Sequence, residues 1–348
     1  MEEPKTLHQA ILYFADPDRC IAYLASSRWP DGVVVCPTCG RKDVSYIAKR
    51  RVWQCKSRHP KCQFSIKVGT IFEDSPIPLE KWLAAMWMIA NCKNGISSWE
   101  IHRALKVTQK TAWFMLHRVR LGMKDERVSK FGGQDGGPVE VDEAFFGGHP
   151  KNKHLREREH FSRQKYVLNE KGEKVINRFH VSKAGRGSDK VPVFGMLDRE
   201  TRKVRTEVIP EVKREVLMEA ILANVEKRSK IYSDGLPGYS SLKTMEFVHE
   251  TVNHITEYVR GDVHTNGIEN YWSLFKRTLR GTYIAVEPFH LHRYADEQAF
   301  RYNNRATKDN PLDDGDRFAF LVTQILGRRL TYKELTGKAA TEDDARPF

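Results

Sequence analysis

The stretch VEVDEAFFGG, residues 139–148, decides how the larger part of this chain folds. Its alternation is that of a strand, with Glu140 and Asp142 on one face and Val139 and Val141 on the other. Working outward, KIYSDG (230–235) reads as a second short strand that ends in Asp234. The segment HTNGIENYWSLFKRTLRG (264–281) has helical periodicity and brings Glu269, Trp272, Lys276 and Leu279 near one face. Between and around these lie further elements. VPVFGMLDRE (191–200) and VRTEVIP (204–210) read as a hairpin turning at Glu200 to Lys203, 211–228 as an amphipathic helix, 246–252 as a strand and 288–302 as a helix. Strands alternating with helices give an α/β domain.

Asp142, Asp234 and Glu269 are three carboxylates at strand ends and on one helix, a set that can converge on two divalent ions. Asp142 would bridge the pair while Asp234 and Glu269 each complete one ion. Phosphodiester cleavage needs that arrangement, because two hard cations stabilise the attacking and the leaving oxygen together. Carboxylates suit Mg2+ or Mn2+, which prefer oxygen ligands. Lys276, two helical turns beyond Glu269, can contact a phosphate near the scissile bond. Each acid also has an ordinary reading as a strand cap, a turn former or a solvated helix residue. With 45 Asp and Glu in the chain, position alone does not choose between the readings.

Upstream, residues 33–72 (VVVCPTCGRKDVSYIAKRRVWQCKSRHPKCQFSIKVGTIF) predict three short strands, too few to bury a stable core unaided. Cys36 and Cys39 in CPTC, with Cys55 and Cys62, supply four thiolates for a structural Zn2+. His59, inside the wide gap between Cys55 and Cys62, is a rival fourth ligand. No βαβ pattern surrounds CPTC, which disfavours a thioredoxin-like redox motif. The remaining cysteines, Cys20 and Cys92, also lie early in the chain, so a disulfide framework for the whole protein is excluded.

Between the cysteine-rich segment and the acidic strand come helices. Ser97 or Ser98 caps one through Leu105, Lys106 and Val107 break it, and Thr108 caps another through Met123. Two helices about a tight break predict a helix-turn-helix, with Lys106, Gln109, Lys110 and Arg118 as DNA contacts. A helical packing unit with a basic solvated face has the same pattern.

The net charge is +13 and the pI about 9.4, which favours an anionic partner. Residues 149–190 hold twelve Lys or Arg against five Asp or Glu and lack sustained apolar periodicity, and read as a long, basic, partly mobile insertion. The N-terminus does not read as a signal peptide, no apolar run approaches a membrane span, and mean hydropathy is −0.57. A soluble, cytoplasmic, nucleoid-associated protein is the expectation.

From Cys36 to Asn304 the chain resembles bacterial insertion-sequence transposases of the DDE superfamily that carry an N-terminal zinc ribbon (the IS1595 group, with an ISXO-type transposase domain). The resemblance rests on CPTCG, QFSIKVGTIFEDSPIPLEKW, VEVDEAFFGG, YSDGLPGY, HTNGIENYWSLFKRTLRGTY and LHRYADEQAFRYNNR, in that order. It implies an RNase H-like mixed-sheet catalytic domain, with Asp142, Asp234 and Glu269 as the acid triad and Lys276 as the basic residue that follows. Members of the group differ over Asn or Glu in the third position. Asn266 is therefore a rival to Glu269, which we prefer because a carboxylate binds a divalent ion more strongly than an amide.

The organisation expected is a helical segment (1–30), a zinc ribbon (31–75), a helix-turn-helix domain (76–125) and a linker (126–138). A catalytic domain (139–305) with the basic insertion 149–190 follows, then a helical tail (306–348). The activity implied is metal-dependent phosphodiester hydrolysis and 3′-OH strand transfer, acting on double-stranded DNA at terminal inverted repeats as at least a homodimer. A nuclease of the same fold without joining, or a DNA-binding regulator with an inactive catalytic domain, would share many of these features.

Overall fold

The computed structural model describes residues 2–125, 129–133, 136–147, 166–168, 174–176, 190–235, 237–239, 242–252, 261–308 and 310–337. The basic insertion lies outside the described residues, apart from Lys190 and a two-stranded antiparallel pairing within it, and so do residues 126–128 and 134–135 of the expected linker. The chain divides into two units, one made of residues 1–126 with 296–348 and the other of 127–295.

In the first unit, helices α1 (Leu7–Phe14) and α2 (Pro17–Arg28) precede a three-stranded antiparallel sheet of β1 (Val44–Ile47), β2 (Val52–Cys55) and β3 (Gln63–Phe64). Three helices follow: α3 (Leu79–Asn91), α4 (Ser98–Leu105) and α5 (Gln109–Met123). The starts of α4 and α5 are where the capping residues predict them. Ser97 and Glu100 form a capping box on α4, and the Thr108 hydroxyl accepts the Thr111 N–H on α5. Lys106 makes the break in a left-handed conformation (φ 50°), its N–H bonding the His102 carbonyl. One core joins Trp82, Trp87, Leu116 and Val119 to Phe318, Leu321 and Ile325, residues of or just beyond a later helix, Asp314–Gln324. The stretch expected as a C-terminal tail is thus partly core of this unit.

The second unit is built on a five-stranded sheet. Its strands are β4 (Val139–Phe146), β7 (Val191–Asp198), β8 (Val204–Val208), β9 (Lys230–Asp234) and β10 (Val248–Val252), with β5 (Tyr166–Leu168) and β6 (Lys174–Ile176) forming the separate pair in the insertion. The order is β10-β9-β4-β7-β8. β4, β7 and β8 form an antiparallel meander, and β9 and β10 add parallel to β4 on its other side. The parallel additions require crossovers, and helix α6 (Arg214–Asn224) supplies the first.

The alternation read in residues 139–142 sorts the two faces. Val139, Val141, Met196 and Ile231 pack with Leu217 and Ile221 of α6. The opposite face, carrying Glu140 and Asp142, receives helix α7 (Asn266–Thr278). Residue 195, paired with Asp142, has to be glycine for that approach: a Cβ there would lie 2.4 Å from the Trp272 ring and 3.0 Å from Ile268. Phe131, in the segment read as linker, is buried and bridges Val225, its N–H and carbonyl bonded to Asn224 and Glu226. The Gly133 N–H donates to the Ser229 hydroxyl as well, so burial of one aromatic ring and hydrogen bonds together anchor a segment whose glycine content suggests freedom.

Candidate functional site

The parallel register pairs Val139 with Ile231 and Glu140 with Tyr232. The ladder between the two strands ends there, but continuing both by two residues puts Asp142 and Asp234 on the face of Glu140 and Tyr232, and Asp234 is near enough to raise the pKa of Asp142. Glu269 stands in the first turn of α7, exposed, its Oε1 accepting the Thr265 hydroxyl at 2.9 Å. The Trp272 indole N–H donates to Asp142 Oδ2 at 3.1 Å, so the helix that carries Glu269 also orients Asp142.

Crowding of anions is visible in the titration of Asp142. Burial, Glu143, Asp234 and Glu269 together push its carboxyl up to about 8, because each disfavours a further negative charge. A divalent cation would relieve that repulsion, and the donor set is all oxygen, so the residues fit Mg2+ or Mn2+. A cleft of about 780 Å³ opens over the site, and its lining includes Asp142, Glu143, Glu269, Lys276, Arg277 and Arg280. Asn266, exposed at the start of α7, is not among the lining residues, and Asp234 stands at the end of its strand outside the lining. The carboxylate of Glu143 points to the other face of the sheet, where buried Tyr239 donates to it at 2.7 Å. Burial, reinforced by Glu143, holds the Tyr239 hydroxyl well above the ordinary tyrosine range, so it remains a donor.

In the first unit, ligand atoms of Cys36, Cys39, Cys55 and His59 all lie within 4.8 Å of one another. The fourth member of this cluster is thus His59, the rival, and Cys62, the expected fourth ligand, is not among the four. The chain between Cys55 and Cys62 turns back so that His59 Nε2 comes within 3.5 Å of Cys36 Sγ, while the Cys62 carbonyl accepts the Cys55 N–H at 2.7 Å. The knuckle closes through the Gly40 N–H bonding the Cys36 carbonyl, with Gly40 at φ +72°, a conformation that favours glycine. For Cys36, burial opposes ionisation, but the Cys39 and Thr38 N–H groups outweigh it and lower its pKa. Cys55 is lowered as well, chiefly by the Ser57 N–H. Three sulfurs and an imidazole at that spacing fit a closed, structural Zn2+ site.

The expected DNA contacts separate into two groups. Lys106, in the break before α5, and Lys110 are exposed, and Gln109, the first residue of α5, is half-buried. Gln109 donates to the Ser98 hydroxyl, and the Lys110 ammonium lies 4.6 Å from the Tyr332 ring centroid. Arg118 is not available to DNA, which corrects its assignment. It is buried and donates to the carbonyls of Leu330, Ile71 and Glu73. Helical periodicity put basic residues along α5, but its C-terminal half, including Arg120, is core, and Arg120 pairs with buried Glu297 at 2.6 Å. Glu297 also pairs with Arg301, one helical turn later.

Sequence reasoning missed Arg199, and saw Glu140 and Trp272 only as members of a face. The period-two pattern marks Glu140 beside Asp142, but nothing local indicates that Arg199, 59 residues away, donates to it at 2.6 Å.

Comparison with known proteins agrees with this picture. A family model described as an ISXO2-like transposase domain matches residues 135–303, and one described as a transposase zinc-ribbon domain matches residues 16–64. A protein of Halobacterium salinarum, described as an uncharacterized protein in transposable element ISH50, is 31% identical over 278 residues, covering 76% of this chain and 84% of its own. An uncharacterized transposase-like protein of Haemophilus influenzae is 33% identical over 106 residues, 30% of this chain and 85% of its own.

Proposed function

The chain belongs to the transposase family with an ISXO2-like domain and a zinc ribbon, and on that premise we propose that it is a DDE-type DNA transposase. It cuts a phosphodiester at the ends of its element and joins the exposed 3′-OH to target DNA. The observation that carries this reading is the strand register, which, continued by two residues, puts Asp142 and Asp234 on one face of neighbouring parallel strands beneath the helix of Glu269. An antiparallel meander extended by two parallel strands beside its first strand supports reading the domain as RNase H-like.

Mg2+ or Mn2+ held by Asp142, Asp234 and Glu269 would activate the attacking oxygen and stabilise the leaving one. Around that centre the chain's own groups bind and orient. Trp272 fixes one Asp142 oxygen, and Lys276, Arg277 and Arg280 offer cations to the phosphates that enter the cleft. The start of α5, with Lys106, Gln109 and Lys110, serves as the N-terminal part of a recognition helix. The zinc cluster holds three strands that are too small to stand alone. Acting on two element ends calls for at least a dimer.

Joining of a pre-cut 3′ end to plasmid DNA in Mg2+ tests the reading. Asp142→Asn, Asp234→Asn and Glu269→Gln should each abolish joining, while Asn266→Ala retains it. Cutting without joining by the unaltered protein would leave a nuclease, and joining by all three variants would remove the triad.

A further inference from the structure

Glu140 lies two residues before Asp142 on the same face of β4, and it is 1% exposed. A carboxylate so placed needs strong partners, and it has them. Arg199 Nε donates to Oε1 at 2.6 Å and the Ile268 N–H to Oε2 at 2.8 Å. Ile268 belongs to the first turn of α7, where N–H groups lack partners within the helix and the dipole favours a negative charge. The preceding residue has no room for a side chain, since a Cβ on Gly267 would stand 2.8 Å from Glu140 Oε2.

Arg199 extends the connection. Its Nη1 donates to the Asp262 carbonyl at 2.7 Å, its Nη2 reaches His264 Nδ1 at 2.6 Å and the His264 carbonyl at 2.8 Å, and its guanidinium lies 4.8 Å from the Tyr232 ring centroid. One ion pair therefore ties the strand of Asp142 to the segment that leads into the helix of Glu269. The attachment points are close to both acids: Glu140 is two residues from Asp142, and Ile268 is adjacent to Glu269. Buried ion pairs contribute little net stability compared with apolar packing, but they impose direction and distance.

We propose that Glu140, held by Arg199, is a positioning residue that sets the gap between Glu269 and Asp142 and thereby the affinity of the site for a divalent cation. The inference rests on reading Asp142, Asp234 and Glu269 as a cation site. Mg2+ demands near-ideal octahedral geometry, so a carboxylate displaced by a fraction of an ångström should weaken its binding more than it weakens the fold.

Terbium luminescence separates these possibilities, because Trp272 lies beside Asp142 and can sensitise Tb3+ bound there. The unaltered protein should bind Tb3+ in competition with Mg2+, and Asp142→Asn should lose the signal. Glu140→Gln keeps an acceptor for Ile268 but loses the ion pair, and Arg199→Lys keeps the charge but not the reach to Asp262 and His264. Each, where it folds, should bind Tb3+ about tenfold more weakly, with joining restored by raised Mg2+. A purely structural role would not be rescued by mass action. Wild-type Tb3+ affinity in a folded Glu140→Gln or Arg199→Lys protein overturns the positioning role, as does a loss of joining that added Mg2+ does not restore. If Glu140→Gln does not fold, Arg199→Lys decides. No sensitised signal from the unaltered protein overturns the cation-site reading itself.

Discussion

Asp142 concentrates the chemistry of the second unit into one side chain. Its neighbours are Gly195 across the antiparallel ladder, which leaves space for the Trp272 ring, and Asp234 on the parallel side. In the metal-free protein its carboxyl is raised from an ordinary 3.8 to about 8, by burial first and then by Glu143, Asp234 and Glu269. The folded state therefore holds a proton between about pH 4 and pH 8 that the unfolded state releases. The stabilising contribution of neutral Asp142 is complete below pH 4 and is lost as pH rises toward 8. Thermal melts of the metal-free protein should show the midpoint falling across that window relative to Asp142→Asn. Mg2+ should reverse the fall most strongly at the high end, where the carboxylate is ionised. A midpoint that tracks pH identically in both proteins would contradict the assignment. The strand pattern reveals the face on which Asp142 lies. Its pKa depends on acids 92 and 127 positions away, which no local pattern can bring together.

At the scale of elements, the zinc cluster shows where spacing informs and where it fails. CPTC and Cys55 are legible because a knuckle presents two thiolates in fixed geometry. The fourth ligand is not legible, since six residues between Cys55 and Cys62 can turn in more than one way and place either Cys62 or His59 at the ion. The observed turn brings His59, and not Cys62, into the cluster with the other three. His59→Ala should release zinc and lower the melting temperature of the first unit, whereas Cys62→Ser should keep near-stoichiometric zinc by elemental analysis. The reverse result would restore Cys62 as the ligand. The helix α5 carries a parallel lesson. Its basic residues repeat at helical spacing, yet Arg118 and Arg120 serve buried acceptors, because a long guanidinium can enter a core when carbonyls or a carboxylate meet it.

The whole molecule carries a net charge of +13, and in the described cleft three cations meet three acids. Lys276, Arg277 and Arg280 line it together with the acids, and a π-helical turn, Leu279–Tyr283, continues α7 and carries Arg280. Each cation that meets a phosphate releases a counterion on binding, so Arg277→Ala and Arg280→Ala should each reduce the slope of log affinity against log salt by about 1. Fluorescence anisotropy with a pre-cut duplex, at four or more salt concentrations, measures this. A slope unchanged in both variants would place the DNA path elsewhere. No helix among the described residues is long and apolar enough to cross a membrane.

By itself the sequence determined the kinds of element and their order. The strand at 139–146, the capped helices α4 and α5, the hairpin after Val191 and the helix of Glu269 all follow from local period and capping, which act over a few residues. The ordered motifs also carried the family. Tertiary structure alone decided which side chains meet. It put Arg199 on Glu140, Trp272 on Asp142 and His59 on Cys36, and it turned Arg118 inward. Those pairings join residues tens to hundreds of positions apart, and they are set by packing of whole elements, to which periodicity in one segment is blind.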